Sequence, residues 1–139
     1  CSTAARILLD IVEKPGYAGD FGLIHRDLHP WNYLISGSEV GAIDFDECVY
    51  APFLCDIAVP LSYLDHRADY EVLKDGFLNG YNAIRPLPEN LVNELELFLA
   101  ARALYIIDWI LDWPRLRWNS YGRQKIQSQM EALDRRLPR

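Results

Sequence analysis

One stretch constrains this chain more than any other. It is His25-Arg26-Asp27-Leu28-His29-Pro30-Trp31-Asn32, followed shortly by Ile43-Asp44-Phe45-Asp46. Both clusters are rich in carboxylate and amide oxygens. Between them lie Tyr33-Leu34-Ile35, a turn at Ser36-Gly37-Ser38-Glu39, and Val40-Gly41-Ala42-Ile43. Apolar runs on either side of a Gly/Ser turn predict a β-hairpin. A hairpin brings its two ends together, so Asn32 and Asp44 are expected side by side. With Asp27 nearby, such oxygen ligands suit a hard cation such as Mg²⁺.

The pattern H-R-D-x-x-x-x-N followed by D-F resembles the catalytic and metal-binding loops of protein-kinase-like phosphotransferases. The form H-R-D-L-H-P-W-N with I-D-F-D is similar to the aminoglycoside phosphotransferase and choline kinase branch. That branch commonly has a second His in the loop, as His29 here. It also has an acidic residue, as Asp46 here, where protein kinases place the Gly of D-F-G. Cys55-Asp56-Ile57-Ala58 resembles the branch's Asp-hydrophobic-Ala helix start. Trp31 stands where Gly is common in the branch. The resemblance is carried by residues 24–58; beyond them the chain matches only in being helical.

The resemblance implies a role for each residue. Asp27 is the expected catalytic base, orienting a substrate hydroxyl toward the γ-phosphate of ATP. Phosphoryl transfer is mostly positioning and charge neutralisation, so one well-placed carboxylate is enough. Asn32 and Asp44 are the expected Mg²⁺ ligands, and Asp46 an outer or second-metal ligand. His25 is expected to pack beneath the loop, and His29 to hydrogen-bond within it. Asp56 either pairs with Arg26 or accepts loop N–H groups. A different chemistry competes: His25-x-Asp27-x-His29 alternates on one face if extended and could hold zinc. Pro30 ends any strand there, which disfavours it.

Composition narrows the function classes. The chain has 139 residues, one domain's worth, with a net charge of −6. That balance argues against nucleic acid and mildly favours a cationic substrate. Cys1, Cys48 and Cys55 form no zinc spacing, and an odd number argues against a disulfide scaffold, so reduced thiols and a cytoplasmic location are expected. No apolar run reaches the length of a membrane span, and no signal peptide is evident. The chain begins with Cys and reads as a piece of a longer protein. The resemblance implies an N-terminal lobe with a nucleotide-gripping Gly-rich loop and a strand Lys. Gly16-Tyr17-Ala18-Gly19 has the wrong spacing for the loop, and Lys14 precedes Pro15.

The rest of the chain reads as helices. Residues 2–14 have Ser2 or Thr3 as cap and Ile7, Leu8, Ile11 and Val12 on one face, ended by Pro15-Gly16. Gly22-Leu23-Ile24 is expected as a short buried strand. Tyr50-Ala51-Pro52-Phe53 corresponds to a short activation-segment equivalent. Helices follow over about 54–66, with Pro60 inside, and about 69–83, with Tyr70, Leu73, Phe77, Leu78 and Tyr81 as the apolar stripe. The longest runs over about 89–113. Tyr105, Trp109 and Trp113 share one of its faces, beside Asp108 and Asp112. These aromatics and carboxylates are either core or a pocket for an organic cation. A polar helix over about 122–137, with a thin stripe of Ile126, Met130 and Leu133, is expected across the surface.

The expected fold is mainly α with one small β-hairpin, the helical C-terminal lobe of a protein-kinase-like fold with its N-terminal lobe absent. It forms a single domain over 1–139, with the loops at 24–46 and a helical subdomain over 54–137. The expected activity is ATP- and Mg²⁺-dependent phosphorylation of a small-molecule hydroxyl by the full-length protein, the piece alone being inactive. The alternative is a non-catalytic kinase-like binding or structural protein. Neither nucleic acid nor membrane is expected as a partner; a homodimer could form through the surface left by the missing lobe.

Overall fold

The computed structural model describes residues 6, 13, 21–88 and 91–136, the side chains of 92 and 93 excepted. The helix expected over 2–14, apart from these single residues, and the Gly16–Gly19 stretch lie outside the described residues. The elements in order are β1 (Phe21–Ile24), a 3₁₀ turn (Pro30–Asn32), β2 (Tyr33–Ser36), β3 (Glu39–Ala42), β4 (Val49–Pro52) and α1 (Phe53–Leu64). They continue with α2 (Tyr70–Ile84), α3 (Leu91–Asp112), the short α4 (Pro114–Arg117) and α5 (Ser120–Arg136). The described residues are mainly helical, with two small antiparallel sheets among them.

The hairpin forms as the sequence predicts. β2 pairs with β3 in the register Tyr33↔Ala42 to Ser36↔Glu39, leaving Gly37-Ser38 as the turn. Gly37 has φ +60°. A two-residue hairpin turn with a left-handed first residue strongly favours Gly there.

A second sheet was not expected. β4 covers the segment read as an activation-segment equivalent, and it pairs with β1 from Phe21↔Pro52 to Ile24↔Val49. The strand over Gly22–Ile24 is therefore real, but it is buried only at Ile24; Leu23 is 74% exposed. In a two-stranded sheet one face has nothing to cover it, so alternation sends Leu23 outward. The pair Ile24↔Val49 brackets everything between, so both oxygen-rich clusters hang from one anchored base.

The core is a contact between α1 and α3. Leu54, Ile57, Ala58 and Leu61 recur at helical spacing on α1, and Leu95, Phe98 and Leu99 face them from α3. Each large side chain buried there contributes roughly 1.5–3 kcal/mol. Pro60 lies inside α1 and is itself buried. It lacks the N–H that would bond the Asp56 carbonyl, yet the helix continues past it. From α2, Tyr70, Phe77, Leu78 and Tyr81 pack against this core as expected; Leu73 of the predicted stripe does not join it.

Two helix readings need correction. α3 ends at Asp112; Trp113 instead precedes α4, where Pro114 stands at the first position of a new short helix. α5 begins at Ser120, with Asn119 accepting the Gly122 N–H at 2.7 Å as a side-chain cap. Its buried face is Gly122, Gln129, Ala132 and Leu133. Met130, assigned to the stripe, is 51% exposed. The helix does not merely lie across the surface: Leu133 packs on Ala100 and Ala103 of α3. Small residues on α3 let the two helices approach closely, which the polar composition of α5 concealed.

An ion cluster closes the far end of α5. Asp65, just after α1, accepts from Arg135 at 2.8 Å and from Arg136 at 3.0 and 2.9 Å; Arg136 also lies 3.1 Å from Glu96. Burial pushes the Asp65 carboxyl up, but the hydrogen bond and charge of Arg136, aided by Arg135, outweigh it and hold the group below its usual value. A carboxyl depressed on folding stabilises above its unfolded pKa of about 3.9, and loses that contribution as pH falls through the folded value. Asp65→Asn is therefore expected to cost about 1 kcal/mol at pH 7, discounted for partial exposure. The gap from wild type should close below about pH 3.9, which urea melts across that range would read.

Candidate active site

Residues 25–32 leave β1 as an irregular loop, and Asp56 shapes its start. The Asp56 carboxylate accepts the His25 N–H at 2.7 Å and the Arg26 N–H at 2.6 Å. Asp56 stands in the first turn of α1, where the helix dipole also favours an anion. Of the two readings for Asp56, the structure has the second: it accepts backbone N–H groups and does not pair with the Arg26 side chain. Arg26 itself has φ +69°, a conformation that a non-glycine residue holds only when its surroundings enforce it. The Arg26 guanidinium reaches Glu47 at 3.0 Å and lies 5.2 Å from the Tyr105 ring centre.

His25 is buried beneath the loop. Its Nε2 lies 2.9 Å from the Ile43 carbonyl, so this nitrogen carries the hydrogen and donates, and its ring lies 4.7 Å from that of Phe45. This bond ties the first cluster to the second. A ring committed in this way does not join Asp27 and His29 around zinc, and among the described residues no group of three His, Cys, Asp or Glu is arranged to hold a metal.

Asp27 lies at the wall of a cavity. Its Oδ1 accepts from Arg102 Nη2 at 2.9 Å. Its Oδ2 is 3.6 Å from His29 Nε2, beyond a hydrogen bond. One carboxylate oxygen is thus fixed and the other has lone pairs to offer. Within the loop His29 bonds through its backbone: its N–H donates to the Asp27 carbonyl at 2.8 Å, and its carbonyl accepts the Asn32 N–H at 2.9 Å. Its ring stands edge-on to Trp31 and Tyr63. Trp31 is 72% exposed in the 3₁₀ turn, which tolerates its side chain without burying it.

Asn32 is buried, and its Nδ2 donates to the Asp27 carbonyl at 2.9 Å. That bond orients the amide and leaves Oδ1 as the atom available to a cation. The Ile43 N–H donates to the Asn32 carbonyl at 3.1 Å, so the hairpin ends meet as predicted. Asp44, the next residue, has φ +68°. Its carboxyl is held above the usual range, first by a hydrogen bond with Asp46 and then by the Asp46 charge. Two exposed carboxyls brought together like this, on a segment bonded to the Asn32 backbone, are oxygen donors of the kind a hard cation takes.

The cavity of about 230 Å³ beside Asp27 is lined by loop residues and by α1, α3 and α5, with Tyr63, Arg102, Tyr105, Trp109 and Lys125 prominent. Asn32, Asp44 and Asp46 are not among its walls, although the Asp27 charge is felt at Asp44. Of the residues predicted to bind substrate, Tyr105 and Trp109 line the cavity, and Asp108, Asp112 and Trp113 do not. An i, i+4, i+8 series drifts around the helix, and the break at Trp113 ends it. Arg102 and Lys125 were missed in the sequence. Arg102 lies one turn before Tyr105, so helical spacing alone could have found it; Lys125 could not be found without the packing of α5. Cys55 offers no nucleophile: burial, then the Asp56 charge, pushes its thiol up to about 12.

Among the described residues no helix is long and apolar enough to cross a membrane. None of the curated proteins searched matches the chain. The family model described as the phosphotransferase enzyme family matches residues 3–91, a span that contains the Asp27 loop, the hairpin, Asp44, Asp46 and Asp56. The chain belongs to the phosphotransferase enzyme family.

Proposed function

We propose that the protein transfers the γ-phosphate of ATP to the hydroxyl of a small molecule, in a magnesium-dependent reaction, with this chain forming the helical lobe of a kinase-like fold. One observation carries the reading beyond family membership. Asp27 presents an uncommitted Oδ2 at a cavity wall, while the loop it belongs to is bonded through Asn32 and His25 to the Asp44 segment. That arrangement supports one carboxylate for the acceptor and a separate oxygen set for the phosphates.

In this mechanism Asp27 Oδ2 accepts a hydrogen bond from the acceptor hydroxyl and orients its oxygen for in-line attack. The acceptor oxygen bonds to the γ-phosphorus, the bond from that phosphorus to the bridging oxygen breaks, and ADP leaves. The hydroxyl proton passes to Asp27. Arg102 holds the carboxylate in place through Oδ1. Asn32 Oδ1 and the Asp44 carboxylate would hold magnesium, with Asp46 beside them. A magnesium ion bound there supplies charge neutralisation on the phosphate oxygens. The exposed apolar side chains of the hairpin and of the Asp44 segment, Leu34, Ile35, Val40 and Phe45, suit a covering surface such as a second lobe.

The test is ³¹P detection of a phosphorylated alcohol formed from ATP by the full-length protein. Product should form with magnesium and not with EDTA. Asp46→Ala is expected to raise the half-saturating magnesium concentration about tenfold or more. ATP binding without any transfer would favour the non-catalytic kinase-like alternative.

A further inference from the structure

Charge in the Asp27 cavity is already paired off, with one exception. Two carboxylates line it, and each has an arginine: Asp27 with Arg102, and Glu47 with Arg26. Neither is left to receive a cation. Of the aromatic lining, Tyr105 is already engaged, since Arg26 and Arg102 lie 5.2 and 5.0 Å from its ring centre. Asp108 and Asp112, the carboxylates that would have drawn a cationic acceptor, are not among the lining residues.

Two cations face the same space. The Arg102 side chain is only 9% exposed, and its Nε is buried with no hydrogen-bond partner. Lys125 Nζ lies 5.0 Å from the Tyr63 ring centre, and no carboxylate pairs with it among the described residues. Burial, and then the charge of Arg102, lowers the Lys125 ammonium below its usual value. A half-buried ammonium beside a guanidinium, with no anion of its own, is costly to the folded chain. An anion entering the cavity would relieve that cost at Lys125.

We propose that the acceptor alcohol carries an anionic group, a carboxylate or a phosphate, held by Lys125 and Arg102 while its hydroxyl reaches Asp27. This rests on the phosphotransferase reading for the hydroxyl, but the anion site stands on the cavity alone. The cavity volume of about 230 Å³ favours a small acceptor. Arg102 and Lys125 here bind and position substrate; neither touches the proton being transferred.

The experiment compares acceptors of similar size with the full-length protein, ATP and magnesium: 3-hydroxypropionate and glycerate as carboxylates, glycerol 3-phosphate as a phosphate, glycerol as neutral, choline and ethanolamine as cations. The expected result is at least about tenfold higher kcat/KM for one of the anionic sets. The two sets tell carboxylate from phosphate. Lys125→Met, which keeps the apolar stem against Tyr63, should raise the KM of the anionic acceptor about tenfold and leave the KM of ATP unchanged. Lys125→Glu should shift preference toward choline. A preference of the wild type for choline, ethanolamine or glycerol overturns the proposal. So does an unchanged acceptor KM in Lys125→Met, or a raised KM for ATP in its place, which would assign the lysine to nucleotide phosphates. If nothing is phosphorylated, calorimetric titration with the same anions decides. Binding that Lys125→Met abolishes keeps the anion site and removes the phosphotransferase reading. Absence of binding removes the site.

Discussion

Asp27→Asn in the full-length protein is expected to lower phosphoryl transfer about 10²–10⁴-fold, the usual contribution of a positioned general base. The substitution is close to isosteric. Its amide oxygen can still accept from Arg102 Nη2, which in the wild type bonds Asp27 Oδ1 at 2.9 Å. The group lost is Oδ2, the oxygen that lies 3.6 Å from His29 and makes no hydrogen bond there. An amide NH₂ at that place donates where the acceptor hydroxyl also needs to donate, so orientation and proton uptake fail together. Folding should suffer less. Arg102 keeps one hydrogen bond but loses its counter-charge, a cost of about 1–2 kcal/mol for a largely buried group. A single-turnover assay with a parallel thermal melt separates the two effects. Wild-type turnover in a folded Asp27→Asn protein would falsify the base assignment.

The second large effect lies away from the reacting atoms. Asp56→Ala removes the acceptor for two backbone N–H groups, those of His25 and Arg26, bonded at 2.7 and 2.6 Å. Hydrogen bonds to a charged acceptor contribute about 1.5–3 kcal/mol each, and the His25 and Arg26 donors would be left with less than they need. Arg26 at φ +69° adds strain that the Asp56 bonds help to offset. A loss of about 3 kcal/mol or more is therefore expected, measurable as the shift in urea midpoint at unchanged m-value. Asp56→Asn should fall between, because one of its two terminal atoms must face an N–H with another N–H. Transfer activity should drop with both variants even where the protein remains folded, since the Asp27 loop starts from these two residues. An Asp56→Ala protein as stable as wild type would mean that β1–β4 pairing alone holds the loop.

The hairpin was legible because its signals are local. Gly37 supplies a left-handed turn residue, and Tyr33–Ser36 and Glu39–Ala42 have strand-forming residues on either side. Local chemistry sufficed to predict that Asn32 and the Asp44 segment meet, and the Ile43–Asn32 hydrogen bond is that meeting. The α1, α2 and α3 helices were legible for a similar reason: apolar residues at 3.6 spacing leave one way to bury them. Boundaries drifted where punctuation was ambiguous, as at Trp113, which reads equally as a last helical residue or as the residue before a new helix opened by Pro114.

The sequence by itself determined the hairpin and that the oxygen-rich clusters around Asn32 and Asp44 lie at its two ends. Tertiary structure alone decided what surrounds them. β1 and β4 are four-residue strands separated by the whole of both loops, and no local period announces that Ile24 will pair with Val49. Arg102 lies 75 residues from Asp27 and Lys125 further still, so their shared cavity depends on how α3 and α5 pack against the loop. That packing turned on Leu133 of the thin α5 stripe and on Ala100 and Ala103, two small residues that carry no signal of their own. Net charge and helical spacing point toward a cationic acceptor, and both average over a surface or a helix. Which side chains are paired inside one cavity, as Asp27 is with Arg102, is decided in three dimensions.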